Sequence, residues 1–121
     1  VWPERPHENP LRYYLDSLAR FLTLPADTLV LPSHGLPFRG LHPRLSALVQ
    51  HHAARLAEAA DALLEPKTGA ELIPVLFRRE LDTHQLGFAI GETLAHLNFL
   101  EAEGRAVRQL GADGVERFHK P

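Results

Sequence analysis

The chain has 121 residues, a formal net charge of −2 and a mean hydropathy of −0.16. That length suits one ordinary domain, or a small domain plus part of another, and the slight acidity argues against a phosphate-backbone reader. It has no cysteine, which excludes a disulfide framework and a thiolate metal site and fits a cytoplasmic protein, and no run approaches the roughly 20 apolar residues that span a bilayer.

Methionine is also absent, so the sequence predicts that a segment precedes Val1 in the encoded polypeptide. The stretch Val1 to Glu8 has no apolar period and reads as extended, with Trp2, followed by Pro3 and Pro6, as an exposed tether or a contact onto another domain. Asn9 caps a predicted helix that opens on Pro10, and Leu11, Tyr14, Leu15, Leu18, Phe21 and Leu22 form one apolar stripe before Pro25 ends it. The run Thr28 to Leu31 reads as a buried strand leading into Pro32-Ser33-His34-Gly35. One helix and one strand cannot cover that stripe from both sides, which predicts a further sheet as its packing partner.

The composition changes near His42-Pro43. Residues 1 to 43 hold most of the prolines, whereas residues 44 to 121 read as regular helices followed by a hairpin, which predicts two units with that boundary. A long helix is expected from about Pro43 to Leu64, with Leu45, Leu48, Val49, His52, Leu56, Ala59 and Leu63 on one face. Thr68-Gly69-Ala70-Glu71 is a capping box for a shorter helix that contains Pro74, a residue expected to remove one backbone bond and bend it. Asp82-Thr83-His84-Gln85 is a second capping box, opening a helix to Glu103 with Leu86, Ile90, Leu94, Leu97 and Leu100 as its apolar face and Gly104 as its stop. Arg105 to Leu110 and Val115 to Phe118 read as two strands joined by Gly111-Ala112-Asp113-Gly114. The predicted fold class is therefore mainly α with a small β-hairpin, and three helices plus a hairpin describe a winged-helix-like unit.

Of the eight histidines, His34 has the most informative setting, at a strand end in a Gly-flanked turn. Such a turn holds an imidazole while leaving space around it, as a metal ligand requires; the plainer reading is a histidine hydrogen-bonded to neighbouring backbone. His52 is expected to be a half-buried core residue, His51 solvated, His84 without chemistry beside a helix start, and His96 in a surface contact with Glu92 one turn away. Gly87 and Gly91 each cost a helix interior roughly 1 kcal/mol against alanine, which predicts a closely packed backbone there, within the domain or at a dimer or interdomain seam. DNA binding, the first suggestion of a winged helix, is disfavoured because the helix from Asp82 to Glu103 carries four acidic residues and no lysine or arginine. The arginines of the hairpin, Arg105, Arg108 and Arg117, remain candidates for contact with RNA or an acidic substrate.

Taken together, the helix after Asn9-Pro10-Leu11, the Leu29-Val30-Leu31-Pro32-Ser33-His34-Gly35 turn, Pro37-Phe38-Arg39-Gly40-Leu41, and the Ala95-His96-Leu97 to Gly104-Arg105 junction resemble the C-terminal part of a metallo-β-lactamase-fold hydrolase. The likeness is to the glyoxalase-II-like and β-lactamase-like-2 branches, in which a winged-helix-type domain follows the final histidine turn. It implies that residues 1–43 are the end of an αββα metallo-β-lactamase domain and residues 44–121 a winged-helix-like domain that shapes or covers the substrate cleft. It also implies that His34 is one ligand of a centre holding two metal ions, usually zinc, with Ser33 replacing the family's first turn glycine. The family's His-x-His-x-Asp-His cluster is not in this sequence, so no catalytic residue is assigned and the chain by itself is expected to be inactive and to hold no tightly bound zinc. Implied partners are the preceding metallo-β-lactamase domain and an ester- or thioester-type small molecule, with no membrane and with a homodimer left open. The alternative is a stand-alone winged-helix module that binds DNA or another protein.

Overall fold

The computed structural model describes residue 1 and residues 4–121, so the expectation for Trp2 lies outside the described residues. Four α-helices and one hairpin follow in chain order among them: α1 Pro10–Arg20, a 3-10 turn Phe21–Thr23, α2 Leu41–Ala62, α3 Gly69–Leu76, α4 Thr83–Ala102, β1 Val107–Leu110 and β2 Glu116–His119. The chain is mainly helical with a small antiparallel hairpin, as its sequence patterns predict.

Local chemistry sets most of the boundaries. The Asn9 side chain accepts from Arg12 N at 3.1 Å, with Pro10 in the first helical position where no N–H is needed. Thr68 and Glu71 exchange side-chain and backbone bonds at the start of α3, and Asp82 and Gln85 do the same for α4. The Thr68 bonds also hold the Glu71 carboxylate below its ordinary pKa. α2 opens two residues before Pro43, on Gly40 at φ +94°, which leaves Pro43 inside the first turn. α3 continues past Pro74, and Phe77 N still reaches Ile73 O at 2.8 Å. Pro74 and Ala70 both face outward, so the carbonyl that loses its donor is open to water.

The core forms where α2, α3, α4 and the hairpin meet. Leu63, Leu72, Leu97 and Leu100 are fully buried there with Phe118, and Leu11 of α1 joins the same cluster. Helix α4 is the central element. Every residue from Ala95 to Leu100 is buried, so its C-terminal half is enclosed on all sides rather than along one stripe. This corrects the predicted face of that helix: Leu97 and Leu100 are in the core, Ile90 and Leu94 are half-buried, and Leu86 is exposed. Ile90 and Leu94 press on Gly69, where a Cβ would stand 3.0 Å from Leu94 Cδ2. The expected close approach at Gly87 is not found, because nothing lies within 4 Å of a Cβ placed there, while Gly91 does meet the Val1 backbone nitrogen at 3.7 Å.

The hairpin pairs Val107 with His119 and Leu110 with Glu116. Its reversal uses Gly114 at φ +77°, and the Asp113 carboxylate accepts from Arg117 and from Val115 N. Those bonds, Arg117 foremost, hold the Asp113 carboxyl down to about 2. Residue 118 ties the hairpin to the loop before α3, since Lys67 and Phe118 exchange backbone bonds at 2.9 and 2.8 Å.

The run Thr28–Leu31 is not the buried strand its apolar composition suggests. Val30 makes one antiparallel bridge to Phe38, with bonds of 2.8 and 3.0 Å, while Leu29 and Leu31 are exposed. No neighbouring strand is present among the described residues to pair with this run, and a single bridge gives side chains no sheet face to pack on. A second, smaller cluster of Leu18, Leu41 and Leu45 takes Val30 as its edge and seats this segment on α1 and α2.

Candidate functional site

The Val30–Phe38 bridge closes a loop whose tip is Ser33-His34-Gly35. Its base is fixed on both sides. Before it, the Thr28 hydroxyl donates to Pro25 O at 2.6 Å, and after it the Arg39 guanidinium donates to Asp27 O and the His42 ring bonds to Leu24 O at 2.9 Å. Gly35 takes φ +94° with open space around it, which turns the chain sharply just after His34. His34 itself is exposed. The loop thus presents one imidazole outward from an anchored base.

A hydrolytic zinc needs three protein ligands and an open position. Among the described residues, no group of three or more histidine, aspartate or glutamate side chains converges to hold a metal ion. His34 therefore does not make a metal centre on its own.

Around this loop the surface is unusually apolar. Phe21, Leu22, Leu24, Leu29, Leu31 and Leu36 are all exposed, Leu31 to 74% and Leu36 to 85%. Part of this patch sinks into a trough of about 410 Å3 floored by Leu18, Leu41, Leu45 and Leu48. Scattered exposed leucines are ordinary, but Phe21, Leu24, Leu29 and Leu31 line this one trough, and a shared apolar surface suits a contact.

The other predicted histidines sit apart from the loop. His52 is half-buried and His51 exposed, as expected. His96 does not make the expected surface contact with the Glu92 carboxylate: it is 2% exposed, and its Nδ1 donates to the Glu92 backbone carbonyl at 2.8 Å. The all-round enclosure of α4 draws it inward. His84 is exposed and meets Phe88 edge-on at 5.0 Å.

Of the hairpin arginines, Arg108 and Arg117 are engaged within the chain, while Arg105 is exposed. Arg108 lies over the Phe118 ring at 4.7 Å and donates to Asn98 Oδ1 at 2.6 Å, Glu101 Oε2 at 2.9 Å and Glu116 Oε2 at 2.8 Å. Asn98 in turn donates to the carbonyls of Pro6 and Glu8 at 2.9 and 2.8 Å, tying the N-terminal segment to α4. Arg117 is held by Asp113, which raises its pKa further, and Lys120 pairs with Asp61 at 3.2 Å. Desolvation and multidentate bonding make the Arg108 group a structural hub.

The family described as metallo-beta-lactamase-like, C-terminal domain, matches residues 56–121. The chain belongs to that family and is a C-terminal part of a metallo-β-lactamase-fold protein. A β-lactamase domain protein from Burkholderia ambifaria is 50% identical with a TM-score of 0.96, and the match covers 100% of this chain and 36% of that one. A metallo-β-lactamase family protein from Thermus thermophilus is 37% identical with a TM-score of 0.79, covering 94% of this chain and 34% of that one. The chain thus spans about a third of the length of these solved relatives. No curated protein matches it. No helix among the described residues is long and apolar enough to cross a membrane.

Proposed function

We propose that this chain is the C-terminal portion of a metal-dependent hydrolase, in which His34 supplies one ligand to a centre of two metal ions, zinc by family resemblance, whose other donors lie outside these residues. The observation that carries this reading is the His34 loop: an anchored base, a glycine turn and an outward imidazole, set in an exposed apolar surface. A loop of this kind is suited to complete a site built mostly by another part of the protein. Residues 1–43 belong to the metal-bearing metallo-β-lactamase domain in this reading. Residues 44–121 form a winged-helix-like unit that covers or shapes the cleft for a small ester- or thioester-type substrate. The absence of lysine and arginine from α4 supports a covering role over a nucleic-acid-reading one.

The test is the metal content of the whole protein, measured by elemental analysis after dialysis against metal-free buffer. Native protein is expected to retain two zinc ions per chain, and His34→Ala about one. Unchanged zinc in the variant, with the fold intact by circular dichroism, removes His34 from the metal site. In the 121-residue chain alone, calorimetric titration with zinc is expected to show no tight binding of two ions.

A further inference from the structure

A second group of histidines lies where α1, α2 and α4 meet, away from the His34 loop and independent of the metal reading. His52 of α2 and His96 of α4 have ring centroids 5.8 Å apart, tilted by 36°. Tyr14 of α1 meets His52 edge-on at 5.3 Å, so one imidazole is touched from both other helices. Because a carbonyl can only accept, the bond to Glu92 O places the His96 proton on Nδ1 and leaves Nε2 as a bare lone pair. That Nε2, the Nδ1 of His52 and the Thr93 hydroxyl are all buried without a partner among the described residues.

Such an arrangement offers the buried Nδ1 of His52 no acceptor for a proton. The groups facing His52 are Tyr14 from α1, His51 beside it on α2 at 5.5 Å, and His96 and Glu92 from α4. Arg55, one turn further along α2, is committed to Glu58 and to the carbonyl of Leu76. Burial lowers the His52 pKa from its ordinary 6.5, the neighbouring His96 and His51 lower it further, and only Glu92 opposes them. The linkage has a definite sign. The unfolded chain takes up the proton more readily, so the full stability is present above about pH 6.5 and is lost as pH falls from there toward the folded value.

We propose that His52, packed between Tyr14 and His96, is an acid-sensitive clamp: its neutral ring holds α1, α2 and α4 together, and its protonation loosens that junction.

Urea unfolding of the chain, followed by circular dichroism, reads the proposal. Between pH 8 and pH 5 the unfolding equilibrium constant is expected to rise roughly tenfold, the effect of one proton taken up preferentially by the unfolded state. His52→Phe, which keeps a ring against Tyr14 and cannot be protonated, is expected to cut that rise to about threefold or less, whereas the exposed control His84→Ala retains it. An equal rise in His52→Phe overturns the clamp. Should that variant not fold, a nuclear magnetic resonance titration of the native imidazole protons decides it: a His52 midpoint below 6.5 supports the clamp, and one at or above 6.5 overturns it.

Discussion

Residues 10–40 and residues 41–121 follow local folding rules equally well, but they differ in what their apolar side chains meet. The second region holds most of the main core, with Leu63, Leu72, Leu97, Leu100 and Phe118 fully buried, although Leu64, Phe88 and Leu110 stay exposed and Leu11 of α1 joins the cluster. In the first, Asn9, Pro10 and Gly35 set a helix start and a sharp turn, yet Phe21, Leu22, Leu24, Leu29, Leu31 and Leu36 stay exposed. Caps and turns are satisfied by residues close in sequence, whereas burial needs a partner of comparable size. The first region therefore contributes Leu11 and Leu18 to the core but leaves its loop side chains uncovered, whereas the second supplies most of the buried body.

The contrast breaks most visibly in the core of the second region. Leu100→Ala is expected to cost about 2–5 kcal/mol, because the fully buried site is ringed by packed elements that cannot collapse onto the cavity. Equilibrium urea unfolding measures it, and a loss below about 1 kcal/mol would show that the core is looser than its burial implies. Next in size comes Arg108→Ala, expected to cost about 1.5–3 kcal/mol by stranding Asn98 and Glu101 beside the hairpin. Arg108→Lys should recover little of this, since an ammonium cannot reach Asn98, Glu101 and Glu116 in one planar fork. The same unfolding assay ranks the three chains.

The features legible in the sequence are those whose cause lies within a few residues. Thr68 with Glu71, Asp82 with Gln85, and the Asp113-Gly114 turn each carry their own hydrogen-bond partner. Their positions followed from spacing alone. The face of α4 did not, because a helix enclosed on all sides from Ala95 to Leu100 has no single stripe for a period to reveal. The same enclosure hid the inward placement of His96. The Arg108 hub joins β1 to Asn98, Glu101 and Glu116, and nothing at position 108 distinguishes it beforehand from exposed Arg105. A run of apolar residues at Leu29–Leu31 suggested a buried strand, since periodicity registers hydrophobicity and not whether a sheet stands beside it. The His34 loop was legible as a turn from Pro32 and Gly35, whereas the metal role proposed for it rests chiefly on family resemblance.

The smallest expected effect sharpens the comparison furthest. Leu31→Ser replaces a residue that is 74% exposed and makes no core contact, so in this chain the unfolding free energy should stay within about 0.5 kcal/mol of the native value. In the whole protein the same substitution should destabilise by about 1.5–3 kcal/mol, the worth of a leucine that a second surface covers. Two small values would mean that the leucine surface remains in water, and the surface would then be a contact site for something other than the proposed preceding domain. A large loss already in the isolated chain would instead assign Leu31 to the body that holds the loop.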